Sequence, residues 1–375
     1  MLAIVEFINR NANDGCEENW SNMLTEKPYS LKIRVHNDYI LLEYTMASDF
    51  NLPIVRECRG LILKAVSKTC YVPVCVPFFK FGNYGESYCP EIDWESARVQ
   101  EKIDGSLIKC WYDEGKWHTS TSGSIDANMA FLMNGHDIKY ENGECATFGK
   151  LFDRVAMNNG LDYGRLAPAL TYMFELCTPE NQVVVPYTET KLYHIGTRNN
   201  ATLEESSPDI GIPKPQEYRL HSVEECIEAA KALHLDSNGG EGFVVVDKHW
   251  NRVKIKNPTY VLYHNLINNN IMTTERIINL VRSGNRDEFL VYFPKYRERI
   301  EAVEQQIEEL TNILSNRVDA LAALNFETQK EFALAVKDDR FSAFFFENRK
   351  TGITADKWLN RMESWRLAIH LERED

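Results

Sequence analysis

The chain has 375 residues, with 55 Asp and Glu against 42 Lys and Arg, a net charge of −13. That balance excludes a protein that coats nucleic acid over its whole surface, since phosphate binding rests on clustered cations, but it permits an enzyme whose cations are gathered in one cleft. Apolar residues at 44% and charged residues at 26% are ordinary for a globular protein and give material for two domains. Residues 1–15 carry Glu6 and Arg10 in a short apolar stretch without a cleavage-site pattern, so no signal peptide is expected. No apolar run reaches the roughly 18 residues of a membrane span. A soluble, cytoplasmic protein is the expectation. Nine cysteines at irregular spacing, without Cys-x-x-Cys, predict buried reduced thiols rather than a zinc site or disulfides.

From Ile33 to about Lys256 the pattern predicts short strands, at Tyr39–Thr45, Gly60–Leu63, Leu170–Cys177, Lys191–Gly196, Gly242–Val246 and Arg252–Ile255. Ser106–Tyr112 and Trp117–Ser120, joined through Glu114-Gly115, predict a hairpin. Ser222 and Glu225 form a capping box for a helix over 223–233, and Ser206–Pro215 reads as a surface loop. After Asn257-Pro258 the pattern turns helical. Asn257 caps and Pro258 opens one helix, Thr274-Glu275 begins a second, and Gly284 ends it. From Lys295 a long helix carries Tyr296, Ile300, Val303, Ile307, Leu310, Leu314, Val318 and Leu321 on one face, which suits a bundle better than a coiled coil. One final helix is predicted from Asp356 through Trp358 and Trp365 to Ile369. The expected fold class is α+β: a β-rich domain over residues 1–260 and an all-helical domain over residues 261–375.

Chemistry concentrates in four short stretches. Glu101-Lys-Ile-Asp-Gly105 puts Lys102 at a strand end, just before Asp104 and Gly105. Alone it is also what a surface lysine before a turn looks like. Glu175 closes the apolar strand Thr171–Leu176, and Glu241-Gly-Phe-Val-Val245 opens another. In Arg252-Val-Lys-Ile-Lys256 the strand period projects Lys254 and Lys256 from one face, which is costly unless an anion lies between them.

In this order the four stretches resemble the motifs of the lysine-adenylating nucleotidyltransferases, the superfamily of RNA ligases, DNA ligases and capping enzymes. Within it the chain is most similar to the T-even phage type of RNA ligase 1. Arg56-Glu-Cys-Arg-Gly-Leu-Ile-Leu63 looks like that family's Arg-Gly strand, with Arg59 as the matching arginine. Phe78-Phe-Lys-Phe-Gly-Asn-Tyr84 looks like its Phe-x-Lys-Phe element, with Lys80 as the matching lysine, and Tyr260 matches a further family residue. One departure stands out: the family carries a lysine where Ser122 precedes Gly123-Ser-Ile125, so a phosphate contact there is either missing or supplied by another residue such as Lys116.

The resemblance implies an ATP-dependent RNA ligase that joins a 5′-phosphate to a 3′-hydroxyl through AMP on Lys102, with cleaved tRNA as the implied substrate. ATP and Mg²⁺, with Mn²⁺ able to replace it, are the implied cofactors. The nucleotide site would comprise Arg59, Lys80, Glu101, Lys102, Glu175, Glu241, Lys254, Lys256 and Tyr260. Lys254 and Lys256 would neutralise the α-phosphate and, with Mg²⁺, lower the pKa of Lys102, and Arg59 and Lys80 would hold the β- and γ-phosphates. Glu241 would hold the metal ion. Asp104 would fix the turn that aims Lys102 and is a second metal candidate. Asp287, in an acidic pair with Glu288, is a third, although a solvated helix start is the plainer reading. The helical domain would dock the RNA, and a monomer with no membrane partner is expected. A DNA ligase or capping enzyme continues into an OB-fold barrel of strands, which a helical C-terminal region disfavours; a catalytically silent RNA binder is the remaining alternative.

Overall fold

The structure is a computed structural model, and residues 1–12, 17–132, 146–236, 239–267, 272–284 and 286–372 are described. It divides into two compact units, Met1–Leu262 and Tyr263–Asp375.

The first unit is built on three antiparallel sheets. Strands β1 (Lys32–His36), β2 (Tyr39–Glu43), β3 (Arg59–Ser67) and β4 (Cys70–Cys75) form the first sheet in that order. Next along the chain come β5 (Arg98–Glu101), β6 (Ser106–Asp113), β7 (Lys116–Thr121), β8 (Leu170–Cys177), β9 (Lys191–Asn199) and β10 (Glu205–Ser206). The last are β11 (Glu217–Tyr218), β12 (Gly242–Val246) and β13 (Arg252–Lys256). The second sheet runs β10-β9-β8-β6-β7 and the third β11-β5-β12-β13. All six expected strands and the hairpin are present. Glu114 and Gly115 both take left-handed backbone conformations, as a two-residue hairpin turn requires.

Each sheet buries its apolar face under helices. Ala3–Ala12 and Glu17–Thr25 cover the first sheet, with Ile4, Val5, Ile8 and Leu24 packed against Leu42, Leu61 and Leu63. The buried Glu57 carboxylate accepts hydrogen bonds from the Ala3 and Ile4 amides (3.0 and 2.9 Å), satisfying free donors at the start of the first helix. Phe148–Asn158, capped by Thr147, covers the second sheet through Leu151, Phe152 and Val155. Val223–Ala232 covers the third through Cys226 and Ala230; Ser222 Oγ caps it at the Glu225 amide, and Glu225 reaches back to the His221 amide (2.7 Å).

The second unit is helical throughout its described residues. Its longest helix, Arg297–Ala323, buries Ile300, Val303, Leu310, Leu314 and Leu321 against helices of the same unit, as a bundle helix does. The single C-terminal helix expected from the sequence is two, Ala355–Arg361 and Ser364–Glu372. The break is stabilised by Arg282, whose guanidinium donates to the carbonyls of Leu359 (2.7 Å) and Met362 (2.8 Å) and to Ser364 Oγ (2.9 Å). Among the described residues no helix is long and apolar enough to cross a membrane. The described cysteines are free thiols, mostly buried.

Candidate active site

Backbone pairing brings the four chemical stretches together although they lie far apart in sequence. β5 delivers Lys102 at its end, where the Lys102 amide donates to the Gly242 carbonyl (2.9 Å). β12 pairs with β5 on one side (Phe243 opposite Glu101) and with β13 on the other, Gly242 opposite Lys256 and Val244 opposite Lys254. The chain then turns into β6, whose Leu107 lies opposite Glu175 of β8. Gly105 makes that turn possible: a Cβ there would sit 2.7 Å from the Leu176 carbonyl oxygen. No residue other than glycine fits.

At the centre, Glu241 is buried and its two carboxylate oxygens bridge two ammonium groups, Lys102 at 2.7 Å and Lys256 at 3.0 Å. Burial opposes its ionisation, but the two lysines hold Glu241 below the usual carboxylate range. Burial alone would lower the pKa of Lys102. Glu241, with Glu175 behind it, outweighs that effect and holds Lys102 above the ordinary lysine value. The expectation that Lys254, Lys256 and Mg²⁺ lower this pKa concerns a site that also holds the metal ion. In this arrangement the carboxylates dominate, and the amine is stored as an ammonium.

Asp104 is buried and its carboxylate is committed to structure. Oδ2 accepts from the Val184 and Val185 amides (2.9 and 2.7 Å), and Oδ1 accepts from the Tyr260 hydroxyl (2.7 Å). Burial and the nearby Glu241 charge nonetheless push its pKa up to about 6. With both oxygens engaged, Asp104 serves as the anchor of the Lys102 turn. Tyr260 also faces the Lys256 ammonium, 4.9 Å from its ring centre.

The cations gather around one cavity, whose walls include Arg59, Glu101, Lys102, Glu175 and Lys254. The Phe81 ring lies between Arg59 (5.4 Å) and Lys254 (5.0 Å). Burial, then the charges of Lys80, Arg59, Lys102 and Lys256, depresses Lys254 to about 6. Burial, partly offset by Lys102 and Arg59, raises Glu175 to about 7. Burial raises Glu101 as well. Lys80 has its ammonium 4.8 Å from the Phe50 ring and borders the neighbouring cavity. Among the described residues, Arg59, Lys80 and Lys254 have no carboxylate within ion-pair distance. Such a cluster favours a polyanion.

Two expectations change. Lys116, at the exposed tip of the β6–β7 hairpin, does not reach Ser122. Lys109 of β6 is fully buried, its ammonium donating to the Gly60 carbonyl. A Cβ on Gly60 would lie 2.9 Å from that ammonium and 2.6 Å from the Ser122 carbonyl oxygen. Lys109 is a residue that sequence reasoning missed. So is Arg252, which packs on Phe78 and pairs with Glu205 at 2.5 Å. Asp287 belongs to the second unit, where it is exposed and paired with Arg286 at 2.7 Å, in keeping with a solvated helix start; the Glu288 side chain lies outside the described residues.

Among the described residues no three His, Cys, Asp or Glu side chains group to hold a metal ion. A protein-built cage is therefore absent from that part of the chain. Glu241 still fits a cation, since it already bridges two. That suits Mg²⁺, which commonly binds through one or two carboxylates together with substrate phosphates.

A family model for RNA ligase matches residues 57–260, a span that includes Arg59, Lys80, the four chemical stretches and Tyr260. The chain is 31% identical over 309 residues to a protein of Autographa californica nuclear polyhedrosis virus named as a bifunctional polynucleotide kinase/RNA ligase, covering 78% of this chain but 42% of that protein. It is 26% identical over 380 residues to an RNA ligase of Rhodothermus phage RM378, covering 82% of this chain and 84% of that one. Among solved structures, form 2 of an archaeal ATP-dependent RNA ligase superposes with a TM-score of 0.44 at 13% identity, over 88% of this chain and 89% of the other. The match to the family model extends over more than half of the sequence, and the chain belongs to the RNA ligase family.

Proposed function

We propose that this protein is an ATP-dependent RNA ligase that forms a lysyl-AMP on Lys102 and joins RNA 5′-phosphate and 3′-hydroxyl ends. The observation that carries the reading is the Glu241 carboxylate bridging Lys102 and Lys256 beside a cavity walled by Arg59 and Lys254. It combines a nucleophile, a carboxylate that would hold a metal ion and cations for the phosphates.

A free lysine is almost entirely protonated at neutral pH, and an ammonium cannot attack. Lys102 must shed a proton, and release from the Glu241 carboxylate, now at 2.7 Å, must precede the attack. The neutral amine then attacks the α-phosphorus of ATP. A P–N bond forms, the bond to the β-phosphate oxygen breaks, and pyrophosphate leaves. Lys254 and Lys256 stabilise charge on the transferring phosphate, and Arg59 and Lys80 bind the leaving phosphates. Glu175 would bind the ribose hydroxyls. Glu241 would hold a divalent cation, which would supply further charge neutralisation. AMP next passes to the RNA 5′-phosphate, and the 3′-hydroxyl displaces it. The helical unit would dock a structured RNA, for which cleaved tRNA is the candidate.

The test is a substrate panel. With ATP and Mg²⁺, the protein should seal single-stranded RNA and cleaved tRNA in preference to nicked duplex RNA or nicked DNA. Sealing of nicked DNA alone would refute the reading.

A further inference from the structure

A second cavity, of about 390 Å³, adjoins the one beside Lys102 and shares Phe81 and Arg252 with it as walls. Its volume falls within the roughly 300–1,000 Å³ of small-molecule pockets. In a chain of net charge −13, this lining has four cations (Arg56, Lys80, Arg198 and Arg252) and one carboxylate, Glu205. Glu205 is spent on Arg198 and Arg252. Arg56 and Lys80 have no carboxylate within ion-pair distance among the described residues, and both are partly exposed.

Aromatic rings complete the walls. Phe79 lies flat beneath the Arg198 guanidinium, 4.0 Å from its carbon, and Tyr88 and Trp250 stand partly exposed at the cavity edge. Trp250 is unusual. It sits in the β12–β13 turn with φ +63°, a left-handed backbone that favours glycine or asparagine and is rare for a bulky side chain. The turn is fastened by Asp247, whose Oδ1 accepts from the His249 amide (2.8 Å) and the Asn251 amide (3.0 Å). The fold therefore holds a large ring, in a backbone conformation costly for it, beside Arg252 (5.5 Å).

Rings interleaved with unneutralised cations are the surface that single-stranded nucleic acid uses: bases stack, and phosphates find positive charge. A triphosphate tail needs the cations but not the rings. We propose that this cavity is a subsite for a nucleotide of single-stranded RNA at the end to be joined, with Trp250 as the stacking platform and Arg56, joined by Lys80 once pyrophosphate has left, facing the phosphates. The subsite rests on the ligase reading above and extends it to how the strand is held.

The experiment uses the full chain and an unreactive probe, a fluorescent single-stranded RNA without a 5′-phosphate and with a blocked 3′ end. Trp250→Gly removes the ring and places at φ +63° the residue most at ease there. Stacking of the expected size predicts at least fivefold weaker binding for W250G, near-normal binding for W250F, lysine adenylation from ATP within twofold of wild type, and a melting temperature no lower than that of W250F. Y88L, on the same wall, should also weaken binding and serves as the readout should W250G not fold. Unchanged binding in the folded ring-deletion variants, or no binding by the wild type, overturns the subsite. So does a parallel loss of adenylation, which would assign the cavity to ATP. A wild type that binds the probe but never forms an adenylate refutes the ligase reading and leaves the RNA subsite standing.

Discussion

The Lys102 ammonium lies 2.7 Å from Glu241, and the other oxygen of the same carboxylate lies 3.0 Å from Lys256. One buried carboxylate thus holds the candidate nucleophile and a candidate phosphate ligand in register. Activation of Lys102 requires that grip to be released.

Glu241→Gln removes the grip and the carboxylate proposed to hold the metal ion. With its main charge partner gone, Lys102 loses the interaction that raises its pKa. The expected result is at least a tenfold fall in maximal adenylation rate, together with a shift of the acid limb of the pH profile to lower pH. A profile that stays in place would mean that Glu241 does not govern the protonation of Lys102.

Lys254 gives a proton-linkage prediction. With a pKa of about 6 it is mostly neutral at pH 7.5. A polyphosphate beside it favours the charged form and raises that pKa, so binding takes up protons. Calorimetric titration with a non-cleavable α,β-methylene analogue of ATP, at pH 7.5 in buffers of different ionisation enthalpy, should show net uptake. Lys254→Met should remove most of it. Binding without buffer dependence would contradict this.

Tyr260→Phe deletes one of three hydrogen bonds to the buried Asp104 carboxylate. Leaving that oxygen without its donor should cost about 1–3 kcal/mol of stability. Chemical denaturation checks the cost, and adenylation should fall along with it because the same carboxylate anchors the Lys102 turn. A variant as stable and active as wild type would show that the two amides suffice.

The architecture of the first unit was largely legible because its strands announce themselves locally: Leu170–Cys177 and Gly242–Val246 match to the residue. Lys102, Glu241, Lys254 and Lys256 could be recognised as a set from motif order. What joins them could not. The donors to Asp104 are backbone amides 80 and 81 residues away, and an amide carries no sequence signature. Lys109 escaped notice because a lysine between Ile108 and Cys110 looks like an exposed strand position until β3 is laid across it. Helix Ala3–Ala12 has Ile4, Val5, Ile8 and Ala12 on one face, a pattern legible in the sequence, whereas the break at Met362 depends on Arg282, a distant residue.

The two-unit division predicts a division of labour. Residues 1–267, which end with the helix bearing Tyr260, should melt cooperatively, form the adenylate and seal short single-stranded RNA. They should lose preference for a structured tRNA over a linear oligonucleotide. A folded fragment unable to adenylate would assign part of the chemistry to the helical unit.

The central claim is that Lys102 carries AMP. Incubation with α-phosphate-labelled ATP and Mg²⁺, followed by denaturation and peptide mapping, tests it directly. The account predicts label on the peptide containing Lys102, through an acid-labile P–N bond, and none in Lys102→Ala or in Lys102→Arg, whose guanidinium does not deprotonate. Label on another residue, or label that survives in either variant, would contradict it.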